Sequence, residues 1–362
     1  MRLATPAPAE AWRLGTIEGF FGRSWSWQAR SDHVRFLAAW GFNSYVYAPK
    51  SDALLRKHWQ TLHDDIASAQ LAALATECRS LGIDFGIGLS PFELYRRFDA
   101  AHEQLLIAKL EHLNEIGADT LCILFDDMTG DLAGLAERQV AIMDCVQRHS
   151  SARRFALCPT YYSSDPLLAR LFGSPPERYL EELGALLAPD IDIFWTGPKV
   201  ISQEYPRAHL QDVAQKLQRK PLLWDNYPVN DAKRLTSFLH LLPFDRNAAE
   251  LRELCAGHLA NPMNQAALSQ LPLHTLAGLY DGTQASREAL LAEACSALLP
   301  HALATALMED ARSFQYEGLD AFTPARRQAL LQRYGKLLTA EAAEEVVDWL
   351  QGGYVFDPAC LT

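Results

Sequence analysis

No stretch of this sequence reaches 18 consecutive apolar residues, so no membrane-spanning helix is expected. Seven cysteines, at 78, 122, 145, 158, 255, 295 and 360, are scattered and odd in number, which argues against a disulfide framework. None forms a Cys-x-x-Cys pair, so the usual zinc signature is missing, and most sit in apolar runs where a small buried side chain is expected. Basic clusters are absent too. With 33 Lys and Arg against 44 Asp and Glu, a net charge of -11, neither nucleic acid nor an anionic membrane is expected as a partner. The first ten residues lack the apolar run of a secretory leader, so a reducing, cytoplasmic compartment is the expectation. Phosphate loops are missing as well: Gly15-Thr-Ile-Glu-Gly19 and Gly86-Ile-Gly88 have neither the spacing nor the helix context of a dinucleotide fingerprint. No cofactor and no metal are expected.

What is there is a regular alternation. Short apolar runs at Leu14–Glu18, Ser44–Ala48, Phe85–Leu89, Thr120–Phe125, Phe155–Leu157, Ile191–Trp195, Pro221–Trp224 and Leu254–Ala256 read as buried strands. Between them lie amphipathic patterns at His33–Trp40, Ile66–Leu81, His102–Ile116, Leu135–Arg148, Tyr179–Leu187 and Leu210–Gln218. Eight strands at intervals of roughly 30 to 40 residues predict an α/β fold, a (β/α)8 barrel of the TIM type spanning 12–285. A doubly wound open sheet is the main alternative. From Ser286 onward the pattern is helical only, at Arg287–Leu299, Leu303–Gln315, Pro324–Leu338 and Ala340–Leu350. This predicts a C-terminal helical extension over 286–362, whose apolar patches make a homodimer an expectation.

The fourth strand ends in Asp126-Asp127. Two adjacent carboxylates cannot both ionise at low cost, so one is expected to hold its proton near neutral pH while the other stays charged. An acid beside an anion suits the cleavage of a glycosidic bond. An isolated Asp-Asp reads equally well as a helix cap or a turn, so the surroundings must decide. Successive strand residues point to opposite faces, so both carboxylates reach one substrate only if the backbone leaves the pleat at 125–127.

In a barrel of this kind the site forms beyond the C-terminal ends of the strands. Polar and aromatic residues do gather there: Glu18-Gly-Phe-Phe-Gly22, Tyr47-Ala-Pro-Lys50, Asp126-Asp127, Cys158-Pro-Thr-Tyr-Tyr162, Trp195-Thr-Gly-Pro-Lys199, Trp224-Asp-Asn-Tyr-Pro-Val-Asn-Asp231 and Asn261-Pro-Met-Asn264. Aromatic faces beside carboxylates and amides make a pocket suited to a sugar. In this order, over roughly 14 to 280, these segments resemble the family-84 glycoside hydrolases, the β-N-acetylglucosaminidases that include the protein O-GlcNAcases. Each motif alone is weak; seven in sequence are specific.

The resemblance implies retaining hydrolysis of terminal β-linked N-acetylglucosamine (GlcNAc), on a glycoside or glycopeptide, assisted by the substrate's own acetamido group. Asp126 would orient the acetamide, and Asp127 would be the general acid and base. Tyr162 matches a donor to the acetamide oxygen, and Trp224 a wall of the N-acetyl pocket with Cys158 nearby. Gly19 through its backbone, Lys50, Asn226, Asp231 and Asn261 match residues that hold sugar hydroxyls or orient the reacting groups. Two positions depart from the family: Phe21 stands where Tyr is usual, and Ser51 where Asp is frequent. Two other readings remain open. One is a non-catalytic GlcNAc-binding barrel; the other is a Mg²⁺-dependent phosphotransfer enzyme holding its metal through Asp126, Asp127 and Asp131.

Overall fold

The structure, a computed structural model, describes residues 12–356. The N-terminal segment read above and Cys360 lie outside them. Eight parallel strands close into a barrel in sequence order: β1 (Arg13–Glu18), β2 (Ser44–Tyr47), β3 (Asp84–Leu89), β4 (Thr120–Leu124), β5 (Arg154–Cys158), β6 (Asp192–Trp195), β7 (Leu222–Asp225) and β8 (Gly257–Ala260). Closure is made by β1 against β8, with Thr16 opposite Ala260, while Thr16 also lies opposite Tyr45 of β2. Strands covered on both faces need no polar alternation, which is why they read as continuous apolar runs.

The helices around the barrel are α1 (Trp27–Ala39), α2 (Asp65–Ser80), α3 (Ala100–Ile116), α4 (Leu135–His149), α5 (Pro166–Phe172), α6 (Tyr179–Leu186), α7 (Arg207–Leu217), α8 (Ala248–Leu254) and α9 (Ala266–Tyr280). Four more follow: α10 (Arg287–Leu298), α11 (His301–Tyr316), α12 (Pro324–Tyr334) and α13 (Glu341–Leu350). Among the described residues, no helix is long and apolar enough to cross a membrane.

The eighth strand corrects the sequence reading. Leu254 ends α8, and the strand is Gly257–Ala260, paired with both β1 and β7. Its central residue, His258, is fully buried, with Nδ1 2.9 Å from the Tyr280 hydroxyl and Nε2 3.2 Å from Asp225. A polar side chain paid into the core in this way erases the apolar run that marks a strand. Helix α1 also begins six residues before the expected His33, capped by Ser26, whose hydroxyl accepts the Ala29 N–H at 3.0 Å. The hidden stretch contains Arg30, buried because its guanidinium grips both oxygens of Glu18, at 2.9 and 2.7 Å. Helix α9 shows no amphipathic signal because it is buried nearly all round, between the barrel and the helices that follow.

Those last helices share a second core with α9 and the segment after β7, built on Leu239, Met263, Leu268, Phe314, Tyr334 and Trp349. Glu345 of α13 fastens it, accepting the N–H groups of Ala267 and Leu268 at 3.0 and 2.8 Å at the start of α9. Burial pushes this carboxyl up to about 8, against the opposing pull of those N–H groups. Because the folded pKa is raised, the associated stability is present below the ordinary value of 4.5 and is lost as pH rises through about 8. Glu345→Gln should therefore flatten the fall in melting temperature across that window, an effect of at most about 5 kcal/mol. A wild-type and variant pair whose melting temperatures fall in parallel would contradict it.

Candidate active site

Strand β4 stops at Leu124, and the chain then turns out of the pleat. The Phe125 N–H donates to the Cys158 carbonyl at 2.9 Å, while the Thr160 hydroxyl donates to the Phe125 carbonyl at 3.0 Å. Asp127 takes a left-handed conformation, φ 57°, which aspartate tolerates better than most residues. The result is that both carboxylates line the same cavity. That departure is what the period-two geometry of the strand demanded.

The two aspartates have different partners. Asp126 is buried, and its Oδ2 accepts a short hydrogen bond from the Lys50 ammonium. Its Oδ1 is buried and accepts nothing. An unpaired buried carboxylate oxygen is an unfilled acceptor site. Asp127 Oδ1 accepts the Tyr162 hydroxyl at 2.9 Å. Burial pushes the Asp127 carboxyl above the ordinary carboxylate range and the Asp126 charge adds to it; Lys50, Arg56 and the Tyr162 bond pull it back. An acid poised beside a fixed anion is the arrangement general acid chemistry needs.

All ten residues singled out by sequence line this one cavity of about 290 Å³: Gly19, Lys50, Asp126, Asp127, Cys158, Tyr162, Trp224, Asn226, Asp231 and Asn261. They come from the C-terminal ends of six different strands and the loops that follow them. Trp224 forms a wall, its ring edge-on to Phe194 with centroids 5.4 Å apart and its Nε1 donating to Asn226 Oδ1 at 3.0 Å. Asn226 Oδ1 also accepts from Asn261 Nδ2 at 3.0 Å, and Asn261 Oδ1 accepts the Gly19 N–H at 3.2 Å. This chain of amides locks three loops together. Gly19 must be glycine: a Cβ there would stand 2.3 Å from Trp224 Cζ2. Asp231 accepts the Phe21 N–H at 2.8 Å, and burial pushes its carboxyl up to about 6. The Cys158 thiol is fully buried and burial holds it far above its ordinary value, so it fills space and is no nucleophile.

Other motif residues fall elsewhere. Phe21 lines the cavity, whereas Ser51 is exposed and hydrogen-bonded to Ser24. Lys199 faces outward, 3.7 Å from Asp165. Asp131 is exposed and absent from the lining, and no group of three His, Cys, Asp or Glu among the described residues is placed to hold a metal ion. Lys50 already places a cation on Asp126 Oδ2.

Sequence reasoning missed the mouth. Leu167, Leu171 and Phe172 from α5, Val200 and Ile201 after β6, and Phe356 beyond α13 make it strongly apolar.

A family model described as NAGidase, beta-N-acetylglucosaminidase, matches residues 14–312. The Protein O-GlcNAcase of Mus musculus is 30% identical over 281 residues, covering 75% of this chain and 30% of that protein. The Protein O-GlcNAcase of Rattus norvegicus matches to the same extent. The chain thus spans about a third of the length of these curated relatives. Among solved structures, a mutant of the Thermobaculum terrenum O-GlcNAc hydrolase superposes with a TM-score of 0.75 at 32% identity, covering 94% of this chain and 74% of that one.

Proposed function

Because this chain belongs to the β-N-acetylglucosaminidase family, glycoside hydrolase family 84, we propose that it is a retaining exo-β-N-acetylglucosaminidase, O-GlcNAcase-like, working through an oxazoline. The observation that carries this reading is the buried, unpaired Asp126 Oδ1 beside the cavity-facing Asp127. An acetamide N–H is a neutral donor of the right kind for that oxygen.

In the first step the acetamide carbonyl oxygen attacks the anomeric carbon as the glycosidic C–O bond breaks. Asp126 accepts the N–H and offsets the positive charge that grows on the acetamide. Asp127 gives its proton to the departing oxygen. In the second step Asp127, now a carboxylate, takes a proton from water as the water oxygen bonds to the anomeric carbon and the oxazoline ring reopens. Two inversions leave the β configuration intact. Lys50 holds Asp126 in place through its ammonium, and Trp224 with Cys158 encloses the acetamide methyl. Tyr162 moves its hydroxyl from Asp127 to the acetamide oxygen when substrate enters. Gly19, Asn226, Asp231 and Asn261 hold the sugar hydroxyls. Residues 12–285 form the catalytic unit and 286–362 its helical extension, which we propose as a dimerisation surface; a GlcNAc-bearing glycoside or glycopeptide in the cytoplasm is the proposed substrate.

The direct test compares an aryl β-N-acetylglucosaminide with the matching β-glucoside. Cleavage of the acetamido sugar alone is expected, since only it carries the nucleophile. Comparable turnover of both sugars would exclude assistance by the acetamide. Binding of GlcNAc without turnover of either sugar would leave a non-catalytic binding barrel.

A further inference from the structure

Arg56 lies in the loop after β2, directly behind the short 3₁₀ turn Ala53–Leu55. It is only 3% exposed. Its guanidinium is wedged between the rings of Phe21 and Phe92, 5.8 and 5.3 Å from their centroids. Nη2 donates to the backbone carbonyl of Asp127 at 3.4 Å, and Nη1 is buried with no acceptor. No carboxylate among the described residues pairs with it, whereas Lys50, the other buried cation of the site, is neutralised by Asp126. An arginine stays charged under all ordinary conditions, and an unneutralised charge in a poorly solvated site acts over several ångströms.

We infer that Arg56 is a positioning residue for the proton transfer: it pins the left-handed backbone of Asp127 and supplies the fixed positive charge that sets how readily Asp127 releases its proton. This rests on Asp127 being the general acid and base. Without such a cation, burial and Asp126 would hold the proton on Asp127 too firmly for it to serve first as acid and then as base. The other groups facing Asp127 are Asp126 beside it, Lys50 from the loop after β2, Cys158 at the end of β5, Tyr162 from the loop after β5 and Asp231 from the loop after β7. Of these only Lys50 acts in the same direction as a charge, and it is tied to Asp126.

The test is the pH dependence of kcat/KM for an aryl β-N-acetylglucosaminide in wild type, Arg56→Met and Arg56→Lys. Loss of the charge should move the alkaline limb upward by at least about one pH unit, the shift that one unit charge produces from ~12 Å away at an effective dielectric of about 20. Arg56→Lys, which keeps the charge, should restore most of the wild-type limb. Titration with GlcNAc and thermal melting confirm that each variant is folded, and Arg56→Gln replaces Arg56→Met should the latter fail to fold. An unshifted limb in a folded, uncharged variant would make Arg56 merely structural. Asp127→Asn separates the two ideas: an alkaline limb that persists in that variant overturns the role of Asp127 itself, and the inference with it.

Discussion

Asp127→Ala is expected to lower kcat/KM roughly 10²–10⁴-fold on a β-N-acetylglucosaminide with a poorly acidic leaving group, and far less on one whose leaving group is an acidic phenol. The reason is that a phenolate with a low pKa departs without a proton, whereas an alkoxide does not. Wild type should also lose activity as pH rises through the raised pKa of Asp127, because the acid is competent only while it carries its proton. The variant should lack that alkaline limb. Burial and the neighbouring Asp126 charge place the limb higher than a solvated carboxylate would. A loss that is the same for all leaving groups, or an unchanged alkaline limb, would remove Asp127 from the proton-transfer role. The measurement is a series of aryl glycosides of graded phenol acidity, followed over pH.

Much of this site could be read from the chain because a closed parallel barrel carries every strand end to one face. Once Thr120-Leu-Cys-Ile-Leu is a strand, whatever follows it must sit beside whatever follows Ser44–Tyr47 and Leu222–Asp225, and Lys50, Asp126, Asp127, Trp224 and Asn226 meet as a consequence. The lost positions share another cause. Arg30 and His258 are polar residues buried by a partner distant in sequence, so their apolar surroundings cannot be seen from neighbouring letters. Position 257 is a glycine whose Cβ would stand 2.7 Å from the Arg13 carbonyl oxygen, a close approach made by strand pairing and not by local pattern. Arg56 belongs to the same class: its local sequence, Leu55-Arg-Lys-His58, reads as a solvated basic turn, and only the return of β4 sets Asp127 against it. The mouth is beyond sequence for a further reason. Leu171 and Phe356 are more than 180 positions apart, and nothing periodic links a short helix after β5 to the segment beyond α13.

The second large effect belongs to Asp126, and its dependence on leaving group should differ from that of Asp127. Asp126→Asn is expected to lower kcat/KM by at least about 10²-fold, because it removes the anion that faces the charge growing on the acetamide. That charge develops whether the aglycone is a good or a poor leaving group, so the loss should be nearly uniform across the same aryl series. Asparagine is the substitution of choice. Alanine would leave the buried Lys50 ammonium with neither a counter-charge nor an acceptor, and breaking a buried pair in this way typically destabilises a protein by about 3–5 kcal/mol and would confuse a folding defect with a chemical one. With asparagine the amide oxygen can still receive Lys50, while the amide N–H₂ faces the acetamide N–H, donor to donor. Substrate orientation should suffer together with charge stabilisation, raising KM as well as lowering kcat. The glucoside control sharpens the argument: if the acetamide is the nucleophile, Asp126→Asn gains nothing on the sugar that lacks it. A loss in Asp126→Asn that grows with the pKa of the departing phenol, as in Asp127→Ala, would mean that the two carboxylates share the proton transfer and that Asp126 does not act on the acetamide alone.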